Sequence, residues 1–121
     1  MLEIGIAFAV VGIFVGVVVA AAAVPVLTLI WVGVATIIAG MALGLPAGVG
    51  YHVAMHRGLA ASGIEAPKWW WSPVRYHDQL GDRGRRLVMP WFVAGVLGAT
   101  LAFLGCAILV VCLFRLRGLE A

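Results

Sequence analysis

The chain has 121 residues, of which 64% are hydrophobic and 11% charged, with a formal charge of +3 and a mean hydropathy of +1.14. Soluble domains carry about 25% charged residues, so this composition excludes an ordinary globular protein and leaves no room for a separate soluble domain. Its basic residues flank apolar runs and do not form the basic face of a folded domain, which excludes a nucleic-acid partner.

The first run, Ile4–Gly50, contains no charged residue. At 1.5 Å per residue a single helix of that length would reach about 70 Å, more than twice the ~30 Å hydrocarbon core. The run must therefore fold back, and Ala23-Val24-Pro25 is the expected break, because proline disfavours helix in the residue before it and lacks an amide donor. This predicts a first span over about 2–22 and a second over about 26–45. Glu3 stands where a signal peptide would carry positive charge, and the apolar stretch is too long for one, so the first span reads as retained.

Pro46, Gly48 and Gly50 follow the second span, and there the helix either ends or kinks and runs on toward Ser62-Gly63. Residues 46–86 are expected to form an interfacial loop. Within it, Ser72-Pro73 opens a short helix to about Leu80, since serine caps and proline suits the first helical position. The last span is expected over about 87–114. It belongs to a helix starting near Arg85 with Asp82 as cap, and its run Leu87–Phe114 is again free of charge. The fold class is thus an all-α integral membrane protein of three transmembrane helices. An N-terminal helical hairpin is followed by an interfacial helical loop and a C-terminal span, all in one membrane domain over residues 1–121.

Six of the eight Lys/Arg residues lie in the central loop, and Arg115 and Arg117 flank the last span. The positive-inside rule places the N-terminus and the loop in the cytoplasm, although the two C-terminal arginines oppose it. The layout resembles that of many small bacterial membrane proteins, which points to a multi-pass protein of the bacterial inner membrane; architecture does not itself confer function.

Each span carries small residues at helical spacing. Gly12 and Gly16 mark the first, Gly33, Gly40 and Gly44 the second, and Gly98 and Gly105 the third. Lipid tails are as apolar as leucine, so helices associate through close packing that small residues permit. These seven glycines are candidate helix-packing or partner contacts. No charged residue lies within the runs Ile4–Gly50 and Leu87–Phe114 that hold the spans, which argues against a monomeric pump or transporter.

Chemistry, if any, belongs to the central loop. His52 and His56, four apart, share one helix face, and His77 is a candidate third ligand; imidazoles accept a transition metal or haem iron. The glutamate of the metalloprotease signature is missing. Trp69, Trp70 and Trp71, with Trp91, are expected to anchor the loop at the lipid–water boundary, helped by Arg75, Arg85 and Arg86. Cys106 and Cys112, six apart on one helix, are too distant for a disulfide and read as packing residues.

The sequence therefore suggests a non-enzymatic membrane protein that works by helix association. It would be an accessory or assembly subunit of a larger membrane complex, or a homo-oligomer, with the lipid bilayer as its other partner. Two alternatives are a metal- or haem-binding protein using His52 and His56, and an oligomeric channel.

Overall fold

A computed structural model describes residues 1–65 and 69–120. Pro67 and Lys68 lie outside the described residues. Among those described there is no strand: helix α1 spans Leu2–Ala21, α2 Val26–Ser62 and α3 Gly81–Glu120, with a 3-10 helix over Pro73–Gln79. All three α-helices are long and apolar enough to cross a membrane. The chain is an all-α, three-span membrane protein.

The hairpin forms where proline demands it. Helix α1 closes with tightened bonds, the amide of Ala22 donating to Val19 and that of Ala23 to Ala20 at 3.3 and 3.2 Å. Pro25 then precedes α2 and accepts the first helical bond, from Leu29, at 3.0 Å. Its missing amide costs nothing at a helix start.

Two boundaries differ from the sequence expectation. Helix α2 does not end at Leu45 but runs through Pro46 to Ser62. One proline removes a single donor, while the residues beyond it gain a packed core. Helix α2 stops at Gly63, whose φ of 64° suits a residue without a Cβ. The amide of Gly63 donates to Ala60 and that of Ile64 to Leu59, both at 3.3 Å, which is the Schellman arrangement that satisfies the last carbonyls. Helix α3 starts at Gly81, φ 69°, four residues before Arg85, so Asp82 sits in its first turn and Pro90 inside it. At 37 and 40 residues, α2 and α3 would measure about 55 and 60 Å. Each exceeds the hydrocarbon thickness and must tilt or project into the headgroups.

Packing divides into two units, Met1–Met41 with Ala99–Ala121, and Ala42–Gly98. In the first, Ala21, Leu29, Ile108 and Cys112 are buried together, flanked by Val17, Ile30 and Val111. The helix backbones come close at two glycines. A Cβ added at Gly105 would lie 2.6 Å from the carbonyl oxygen of Gly33, and one added at Gly33 would lie 3.2 Å from that of Gly105. The contact is reciprocal, each helix placing a carbonyl where the other lacks a side chain.

The end of α1 is held in the same unit by Arg115. Its Nη1 donates to the carbonyl of Ala21 at 3.1 Å and also to that of Val24. The last carbonyls of any helix lack intrahelical donors and carry the negative end of its dipole. A guanidinium answers both needs.

In the second unit Tyr51, Met55 and Leu59, spaced by four along α2, bury one face against Leu80 and Val88. Met55 and Val88 are 0% exposed. Ile64, Trp69, Tyr76 and Phe92 pack around them. This core explains why α2 continues past Pro46, because stopping there would leave the Tyr51–Leu59 face without its helix.

Candidate functional site

The central segment brings its aromatic and imidazole side chains together, though not as a ligand set. His77, 3% exposed, shares a 2.6 Å hydrogen bond through Nε2 with the hydroxyl of Tyr51. Its ring meets Phe92 edge-on at 5.2 Å, and Tyr51 lies 5.7 Å from the same phenyl ring. The 3-10 helix supplies His77, α2 supplies Tyr51 and α3 supplies Phe92. This trio is thus a polar pin inside the second unit's core. The buried hydroxyl and the imidazole Nε2 satisfy one another, and leaving either unmet would cost about 1–3 kcal/mol. Substituting Tyr51→Phe preserves shape but removes the hydroxyl, so a stability loss of about 1–3 kcal/mol is expected in detergent unfolding titrations. A variant as stable as the parent would show that the pin contributes nothing.

His52 and His56 do share a face of α2, as their spacing predicts, and both stay exposed with one indole packed beside them. Trp69 lies 6.0 Å from the His52 ring and 5.9 Å from that of His56. Nδ1 of His52 donates to the carbonyl of Gly48 at 2.9 Å, and Nε2 stands 3.4 Å from the carbonyl of Trp70. A metal would need the lone pair of Nε2, which is turned toward a carbonyl oxygen. Among the described residues no group of three His, Cys, Asp or Glu side chains is placed to hold a metal ion. His77, the expected third ligand, is instead turned to Tyr51 and Phe92.

The tryptophans divide. Trp69 packs inward, whereas Trp70 and Trp71 meet edge-on at 5.7 Å and are 58% and 78% exposed. Trp91 lies over Gly50, where an added Cβ would run into its indole. It is therefore a packing residue as well as a partly exposed one. Of the three arginines expected beside them, Arg85 reaches Asp78 at 3.7 Å, an exposed pair of little energetic weight. Arg75 and Arg86 are exposed.

The glycine ridges divide as well. Gly33 and Gly105 are buried in backbone contact, and Gly40 and Gly98 are also buried, with Gly44 half-buried. By contrast Gly5, Gly12 and Gly16 are exposed, and a Cβ at any of them would meet nothing within 4 Å. The apolar window of α1 is only 6% buried.

Sequence reasoning gave no packing role to Tyr51 or Phe92 and read Arg115 only as a charge that opposes the orientation. The 51/55/59 spacing was a readable signal for the first. Cys106 is exposed and Cys112 buried, its thiol 4.0 Å from the carbonyl of Val26, and both are free.

No family model matches this sequence, and neither a curated protein nor a solved structure is similar to it at a significant level. Function rests on geometry alone.

Proposed function

We propose that this is a non-enzymatic membrane protein that works by helix association, as an accessory or assembly subunit of a larger membrane complex or as a homo-oligomer. The observation that carries this reading is the open ridge of α1. Gly12 and Gly16 have the spacing that lets membrane helices approach closely, yet among the described residues nothing lies within 4 Å of a Cβ added at either. Gly33 and Gly105 exhibit what a used ridge looks like in the same molecule. An α1 so little covered by its own chain is available to another helix in the lipid.

The N-terminus and the central segment are assigned to the cytoplasm of a bacterial inner membrane. The basic residues of the central segment favour that side. Arg115, which opposed the assignment, has a separate reason for its position, since it serves the carbonyls of the α1–α2 turn. Exposed Trp70 and Trp71 suit an aromatic belt at the boundary of that side.

The test follows from the open space at Gly12 and Gly16. The double variant Gly12→Leu, Gly16→Leu is expected to insert and fold as the parent does, because both positions are exposed and a Cβ at either meets none of the described residues within 4 Å. Association, read by cross-linking in native membranes and by native gel after mild extraction, should fall at least tenfold, which is about 1.4 kcal/mol. Assembly unchanged in the double variant would end this reading.

A further inference from the structure

Within the second unit, two adjoining cavities run between the later part of α2 and the start of α3. The first, about 290 Å³, is lined by Gly50, Val53, Ala54, Leu87 and Trp91, with Arg57 at its edge. The second, about 500 Å³, continues from Arg57 and Leu87 to Ser62 and Arg83, with the buried Leu80 also in its wall. Leu80 sits against Gly58 and Gly84, where an added Cβ would come within 3.0 Å of it. Those two glycines bring the walls in close enough to make a groove. One end is apolar and the other holds two guanidiniums.

The charge of that polar end is uncompensated. Among the described residues no acidic side chain lines either cavity. Among the described residues neither Arg57 nor Arg83 has an ion-pair or side-chain hydrogen-bond partner. Arg83, Arg85 and Arg86 also crowd the first two turns of α3, the positive end of its dipole, where carboxylates are favoured and cations are not. Asp82 is the acidic residue of that first turn. An anion seated beside Arg83 relieves both the dipole and the like-charge repulsion.

The charge-free run Leu87–Phe114 already exceeds the ~20 residues needed to cross the hydrocarbon, so the arginines just before it can stay outside the hydrocarbon, among the headgroups.

We infer that this groove is a specific site for one anionic phospholipid. Its phosphate is held by Arg57 and Arg83 beside the Ser62 hydroxyl, and the top of an acyl chain lies along Val53, Leu87 and Trp91. Guanidiniums suit this task because their planar fork bonds phosphate oxygens in pairs. A free phosphate would use only the polar end and leave the apolar slot empty, so a lipid is the occupant that matches both ends. The inference is independent of helix association.

The experiment is native mass spectrometry of the full chain, released from nanodiscs containing equal amounts of phosphatidylglycerol and phosphatidylcholine. One phosphatidylglycerol per chain should be retained in preference to phosphatidylcholine. Arg57→Gln and Arg83→Gln should each weaken retention about fivefold, and the double variant about thirtyfold, as expected for ~1 kcal/mol per basic residue. Both side chains are exposed, so folding, checked by circular dichroism, is not at stake. Arg57→Lys, which keeps charge but loses the fork, should fall between parent and Arg57→Gln. Arg75→Gln, which removes an arginine outside the groove, should leave retention unchanged. Equal retention of the two lipids would overturn the site, and so would an Arg75→Gln loss as large as that of Arg57→Gln, which would mean diffuse surface charge. Displacement of the lipid by an equal concentration of inorganic phosphate would also overturn it, by showing that the apolar slot does not contribute.

Discussion

Gly105→Leu is expected to separate the packed helices of the first unit and to destabilise the protein by about 3 kcal/mol or more. The Ile37 side chain stands nearest, at 2.5 Å, but two backbone atoms that cannot swing aside are almost as close. A Cβ at this position would stand 2.6 Å from the carbonyl oxygen of Gly33 and 2.8 Å from the amide nitrogen of Ile37. Overpacking a tight site costs about 1–3 kcal/mol even when side chains can yield. Gly105→Ala should therefore lose at least about 1 kcal/mol, and leucine more. Gly33→Ala should be milder, because its nearest obstacle is the flexible Leu109 side chain at 2.8 Å. Gly118→Ala, where nothing lies within 4 Å, should stay within about 0.5 kcal/mol of the parent. Unfolding titrations in mixed micelles measure all four. If Gly105→Ala matched Gly118→Ala, the reciprocal glycine contact would not exist in the folded protein.

Arg115→Leu should produce the second large effect, of a different kind. It removes the donor to the carbonyls of Ala21 and Val24, leaving them unmet at a turn with no charge of its own. Hydrogen bonds from a charged group contribute about 1.5–3 kcal/mol, and an unmet polar group near hydrocarbon costs more than one in water. The expected loss is about 2–4 kcal/mol, concentrated at the C-terminal turn of α1. Hydrogen exchange should accelerate at residues 20–24 while the second unit keeps its protection. Arg115→Lys should recover part of the loss, since a compact ammonium lacks the broad fork of a guanidinium. Unchanged exchange at residues 20–24 in Arg115→Leu would refute the capping role.

These effects also indicate what could be read from the residues alone. Pro25 and Ser62-Gly63 were legible punctuation, since each acts through its own backbone geometry. Whether α2 ends at Pro46 or runs on to Ser62 was left open by the residues, because the choice depends on Leu80 and Val88, which come from distant segments and reward the extra helix. The histidine pair shows the same divide. Spacing put His52 and His56 on one face, but it could not reveal that Trp69 would pack beside them. Among the glycines, periodicity gave the ridges and nothing more. Whether a ridge is filled depends on the facing helix, which is why Gly33 and Gly12 look alike in the sequence and differ in the structure. Arg115 looked like a charge on the wrong side, and only a contact across more than ninety residues gives it a purpose.

That long reach sets an order on the protein's manufacture. Chains emerge from the ribosome N-terminus first, so the α1–α2 turn enters the bilayer well before Arg115 has been translated. During that interval the carbonyls of Ala21 and Val24 must rely on interfacial water or on the insertion machinery. The first hairpin is thus completed by a residue made more than ninety positions later, and a nascent chain truncated ahead of Arg115 would carry an unfinished turn.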